Sequence, residues 1–174
     1  MGYKVPESEL VKREERTRQR DLELASEDYH RNLSRMDSID WSTNSAMSEV
    51  EWQGYCAACW AFAANSALTT TAAIRTGRKI KLSAQQQVDC TMETGENFQK
   101  FGKYYDQDGC GGGYETKTFE FYKDWGAMLD RDYRYTSGET EREGRCKHDP
   151  SRVAMKVHEY GEIQGSIKSI HEKL

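Results

Sequence analysis

Cysteines stand at positions 56, 59, 90, 110 and 146. Their number is odd, so any complete disulfide pairing leaves one thiol free for chemistry. Cys56 and Cys59 form a C-x-x-C, which suits a redox pair or half of a zinc site. Zinc would want a second pair at short spacing, but Cys90, Cys110 and Cys146 stand singly, and a redox pair of this kind would want a preceding strand and a βαβ pattern. A third chemistry is nucleophilic. A thiol must be partly thiolate to attack, and a helix N-terminus favours the anion through its unsatisfied amides and macrodipole. Cys59 opens the run WAFAANSALTTTAAIRTG, rich in Ala and free of Pro and Gly until its end. That run predicts a helix closed by Gly77 as a C-cap. Taken alone, Cys59 also fits a small buried hydrophobe, and all five cysteines fit a reduced cytosolic set, so the neighbours must decide.

The neighbours are Gln53, Gly54, Cys56, Ala57, Ala58, Cys59, Trp60, Ala61 and Phe62. This string resembles the nucleophile loop and helix of the papain-like cysteine proteases, close to C-G-[SA]-C-[WY]. Further motifs follow in the order of that family: Asp40-Trp41, then Leu82-Ser83 with Gln85 and Val88-Asp89-Cys90, then Gly109-Cys110-Gly111-Gly112-Gly113, then Tyr133-Arg134-Tyr135 and Cys146. The resemblance covers roughly Ser38 to Leu174. It implies that Cys59 is the nucleophile and that the Gln53 side-chain amide, with the Cys59 backbone amide, forms an oxyanion hole. It implies also that Gly112 and Gly113 form a wall pairing with substrate backbone, and that Tyr114 stands at the pocket for the second residue before the cut. By the same resemblance Cys56 pairs with Cys110 and Cys90 with Cys146, leaving Cys59 as the free thiol. No metal and no cofactor is expected.

Two departures qualify these expectations. Ala57 stands where the family usually has Gly, adding a methyl group beside the cleft. The family's His and its orienting Asn belong to a second, β-rich domain that would begin after Leu174. The histidines here are His30, His148, His158 and His171; none lies in a strand of small residues, and each is expected at the surface. The chain alone is therefore expected to hydrolyse peptides poorly or not at all, since loss of the base costs on the order of a thousandfold or more. The expected activity is that of a cysteine endopeptidase working through a Cys59 thioester, present here as its nucleophile-bearing half. Its partners would be a peptide or protein substrate and a second chain supplying His and Asn. The alternative is a non-catalytic relative acting as a binding or structural subunit that docks another protein.

The elements that position these residues follow from local pattern. Ser83 is placed to N-cap a short helix ending near Cys90. Residues 91–109 carry no clear period and include Gly95, Gly102 and Gly109, so they read as a surface excursion. From Glu115, the positions Phe119, Tyr122 and Trp125 recur at helical spacing before Gly126. Past Cys146, Val153, Met155, Val157 and Tyr160 alternate as in a strand, and Ile167, Ile170 and Leu174 resemble the stripe of a further helix.

The expected fold is α+β, the mainly helical left-hand domain of a papain-like protease, with the β-rich right-hand domain largely absent. It divides into residues 1–37, a charged extension, and residues 38–174, the papain-like domain truncated before its His- and Asn-bearing part. Glu9 with Arg13 and Glu14 with Arg18 sit at i, i+4 and would support a solvated helix in the extension. Ile39, Trp41, Met47, Val50 and Trp52 mark where folding begins.

At 174 residues the chain suits one domain. Its 25 basic and 29 acidic side chains are scattered, which offers nucleic acid no one-signed surface. No run reaches the roughly 18 apolar residues needed to span a bilayer. The first thirty or so residues hold no apolar stretch of the signal-peptide kind, whereas the family is normally lysosomal or secreted.

Overall fold

In the computed structural model, Glu15 and residues 41–161 are described. The rest of the charged extension, including its expected ion pairs, with His30, Ile39, Asp40, His171 and the Ile167, Ile170, Leu174 stripe, lies outside the described residues. The compact unit Trp41–Tyr160 carries every element named below.

Helix α1, Cys59–Thr76, forms where alanine and other small residues leave little side-chain entropy to lose. It stops at Gly77, whose left-handed φ of 69° lets its N–H donate to the Ala73 carbonyl. Trp60, Ala61, Ala64, Asn65, Thr69 and Ala73 are buried, and beyond Trp60 these small side chains allow close approach of other elements. Asn65 uses this proximity twice: its Nδ2 donates to Leu82 O at 3.2 Å, and its Oδ1 accepts from Tyr122 OH at 2.9 Å.

Helix α2, Ala84–Cys90, is short, and every one of its residues is buried. Ser83 caps it, its Oγ accepting from Gln86 N at 2.9 Å and donating to Tyr133 O at 2.6 Å. A buried helix carrying Gln85, Gln86 and Asp89 needs partners for those polar groups. Gln86 finds them in Gly126 O, Met128 N and the His148 ring. Asp89 accepts from Gln85 Nε2, Tyr133 OH and Gly144 N.

Helix α3, Gly95–Phe101, corrects the reading of 91–109 as a surface excursion without structure. Thr94 caps it through Asn97 N and Gly102 ends it with φ 74°. With only seven residues it shows no period in sequence, yet Asn97 and Phe101 are buried. Tyr105 and Gln107, farther along the same stretch, are buried too.

Helix α4, Glu115–Asp124, packs against α1. It is the helix expected from the spacing of Phe119, Tyr122 and Trp125; its buried side chains are Thr118, Phe121 and Tyr122, while Phe119 and Trp125 stay half-buried. β1, Ala127–Met128, pairs antiparallel with β2, Val153–Met155, across a bulge. The alternation read from 153 to 160 thus yields a strand of three residues. A one-turn helix α5, Ser137–Thr140, lies between them in sequence.

Two buried clusters fill the unit. One joins Leu82, Phe101, Tyr105, Phe121, Tyr122, Met128 and Tyr133, while the other joins Cys56, Ala58, Trp60, Ala61, Ala84 and Val88 around the start of α1. One expectation fails here. His148 is 7% exposed and packs against Phe101, Phe121 and Trp125, because its ring fills a gap in an aromatic cluster rather than facing water. Trp41, Val50 and Trp52 sit in a segment without helix or strand and remain exposed.

Candidate active site

Cys59 is the first residue of α1, exposed, and the one unpaired thiol among the described cysteines. Its N-cap, Ala58, has no side chain to cover the first-turn amides, and no acidic residue stands in that turn. The Ala58 carbonyl accepts from the N–H of Ala61 and of Phe62. No described acceptor takes the Cys59 N–H, so a free donor lies beside the thiol, where helix geometry favours an anion.

The loop leading to Cys59 is held from two sides. On one side Cys56 is bonded to Cys110, and the Ala57 N–H donates to Cys110 O at 3.0 Å. Ala57 does not adopt positive φ, so a methyl group in place of the usual glycine brings no backbone strain. On the other side Gly54, with φ 65°, lies against the backbone of Gly138, closer than any Cβ could come. The Tyr55 N–H donates to Gly138 O at 2.9 Å, and Tyr135 OH donates to Gln53 O at 2.8 Å. Gln53 is half-buried within this loop.

Gly112 and Gly113 follow the short 3-10 turn Gly109–Gly111. Gly112 has φ 126°, which glycine alone adopts readily, and its carbonyl accepts from Asp108 N at 3.0 Å. Gly113 lies flat on the Trp60 ring and the Gln107 side chain, leaving no room for a Cβ. No hydrogen bond among the described residues engages the Gly113 backbone. Buried Gln107 grips Tyr114 twice, accepting from its N–H at 2.7 Å and donating to its carbonyl at 2.9 Å. Trp60, one residue from the thiol in sequence, therefore links the start of α1 to Gly113.

The second bridge, Cys90–Cys146, sits at the end of α2, away from the Cys59 loop in sequence. Both bridges are those the resemblance implies. Among the described residues no group of three or more His, Cys, Asp or Glu could hold a metal ion, and no helix is long and apolar enough to cross a membrane.

The two described histidines do not meet Cys59. His148 Nδ1 is 3.0 Å from Gln86 Nε2 inside the aromatic cluster. His158 borders a cavity with Thr71, Arg75 and Thr76, at the far end of α1, roughly 20 Å along the helix axis at about 1.5 Å per residue. The motifs name Gln85 and Tyr135 only as members of the family's string, and Gln107 not at all, so their parts as structural props of the loops are not legible there. Their reach across the chain leaves no local signal.

A family model described as papain family cysteine protease matches residues 36–174. A cathepsin L-like proteinase from Phaedon cochleariae is 34% identical over 137 residues, covering 78% of this chain and 38% of that protein. Cathepsin S from Mus musculus is 40% identical over 125 residues, covering 71% of this chain and 33% of the relative. Among solved structures, digestive procathepsin L 3 of the Tenebrio molitor larval midgut superposes with a TM-score of 0.55 at 30% identity, covering 68% of this chain and 34% of that one. The chain thus spans about a third of the length of the proteins it resembles.

Proposed function

Because the chain belongs to the papain family of cysteine proteases, we propose that it is the nucleophile-bearing part of a cysteine endopeptidase, with Cys59 attacking the scissile carbonyl. The sulfur–carbon bond forms, the amine leaves with a proton, and water then hydrolyses the thioester. The Gln53 amide and the Cys59 N–H receive the oxyanion. The Gly113 backbone pairs with substrate, and Tyr114 stands at the pocket for the second residue before the cut.

The observation that carries this reading is an exposed, unpaired thiol at the start of an 18-residue helix, beside an N–H with no described acceptor. The imidazole and the asparagine that orients it come from outside the described residues, on further chain or on a second chain. The remoteness of His148 and His158 from Cys59 favours a second reading as well, that of a non-catalytic papain-like subunit whose cleft docks another protein.

The intact mass of the protein isolated from its source, taken before and after a peptidyl-epoxide probe, separates the two. The endopeptidase reading expects one adduct, mapped to Cys59 and absent from Cys59→Ser. An intact protein that takes no adduct would sink it and leave the docking reading.

A further inference from the structure

Gln53 is a half-buried residue of a loop, and an oxyanion donor is useful only if the backbone that carries it is fixed beforehand. The fixing comes from a strap 82 residues away in sequence. Tyr135 OH donates to Gln53 O at 2.8 Å, and the Gly138 carbonyl accepts from Tyr55 N at 2.9 Å. Gly54 is thus bracketed by one hydrogen bond on each flank. Neither Gly54 nor Gly138 could carry a Cβ without striking the other segment, so the two backbones lie in direct contact.

The strap is itself anchored from beneath. Gln85, 2% exposed, accepts through Oε1 from the N–H of Thr136 at 2.7 Å and of Ser137 at 3.0 Å. Through Nε2 it donates to Ser137 Oγ at 2.6 Å and to Asp89 Oδ1 at 2.7 Å. The Tyr135 ring rests edge-on against Phe62 of α1, with centroids 4.9 Å apart, so the helix that begins at Cys59 also seats the tyrosine. Burial pushes the Tyr135 hydroxyl up to about 12, and it stays a donor at any working pH.

We propose that Tyr135, held in place by Gln85 and Phe62, is a positioning residue that fixes the Gln53 carbonyl and thereby aims the Gln53 side chain at the oxyanion formed on Cys59. The inference rests on the endopeptidase reading of Cys59. Without the tyrosine hydroxyl, the Gln53 carbonyl turns to water and its peptide unit gains rotational freedom. The thiol, on its own helix, is left as before.

The test compares wild type with Tyr135→Phe, which keeps the ring against Phe62, both produced in the source cells so that every other part of the protein is present. Three quantities are measured: Cys59 alkylation by iodoacetamide, which forms no oxyanion; the affinity of a peptide aldehyde, whose carbon takes the sulfur while its oxygen takes the thiol proton; and kcat against KM on a peptide substrate. The expected result is unchanged alkylation and KM, with aldehyde affinity and kcat both lowered about tenfold, less than the hundredfold or more that follows outright removal of an oxyanion donor. Equal aldehyde affinity and kcat in the two proteins overturns the inference alone. Alkylation and aldehyde binding falling together, with a lowered melting temperature, shows a merely structural tyrosine and overturns it too. A wild type that neither alkylates at Cys59 nor binds the aldehyde overturns the reading of Cys59 itself, and this inference with it.

Discussion

Cys59 differs from the other four cysteines by position rather than by kind. Cys56 and Cys90 are buried and bonded, while Cys59 faces outward at a helix start. The histidines divide in a comparable way, and His148 shows what burial does to an ionisable ring. Gln86 Nε2 is a donor, so His148 Nδ1 accepts and the proton of the neutral ring sits on Nε2. That N–H has no partner among the described residues. Desolvation, then Lys100, with a smaller push from Lys156 against the opposing pull of Asp149, holds the imidazole below the usual histidine range. The unfolded chain takes up its proton near the ordinary histidine value of about 6.5, before the folded chain does. Stability from this group is therefore fully present above that value, declines as pH falls toward the lower folded value, and levels off beneath it. His148→Asn, whose side-chain oxygen can accept from Gln86, should lower stability at neutral pH through lost packing yet flatten its decline as pH falls below about 6.5. Urea unfolding of both proteins across that range measures this, and parallel slopes would refute it.

Among the elements, α2 concentrates the most consequence in the fewest residues. Its seven residues are all buried, a poor prospect for a helix carrying Gln85, Gln86 and Asp89 unless each of those has a partner. Gln85 ties it to the 135–138 strap, Gln86 to β1 and Asp89 to the Gly144 turn. Ser83 starts the helix and reaches Tyr133 O in the same gesture. Ser83→Ala removes a cap and leaves a buried carbonyl short of a donor, so it should cost about 1–3 kcal/mol. The shift in urea midpoint at constant slope reads this out, and a change within error of zero would mean the cap is dispensable. Helix α1 behaves differently, since its alanines admit neighbours closely and leave the reaching to such side chains as Asn65. α3 is a reminder that a two-turn helix can be specified by its two ends, Thr94 and Gly102, while its interior shows no pattern.

Taken together, the two disulfides close loops of 54 and 56 residues, and each should stabilise by about 4 kcal/mol on the chain-entropy model. Their functional consequences differ. Replacing Cys90 and Cys146 by Ser should lower stability by about 2–5 kcal/mol while leaving epoxide labelling of Cys59 intact under folding conditions. Replacing Cys56 and Cys110 should lower both, because that bridge joins the nucleophile loop to the glycine wall. Denaturation midpoints and labelling rates on the two double variants decide it; equal labelling in both would sever the bridge from the site. The amino-acid sequence by itself determined the features whose causes lie within a few residues: α1 with its Ala content and Gly77, the Ser83 cap, and the odd thiol at a helix start. Its motif order also carried the family and the cysteine partners. Only the tertiary structure decided that His148 is buried, that Phe121 enters the core, and that Trp52 does not. It alone joined Tyr135 to Gln53 and Gln85 to Ser137, partners 82 and 52 residues apart. Propensity and capping act through neighbouring backbone groups and leave a local mark, whereas a buried amide or hydroxyl is satisfied by whatever the fold brings to it, and no spacing in the chain records that meeting.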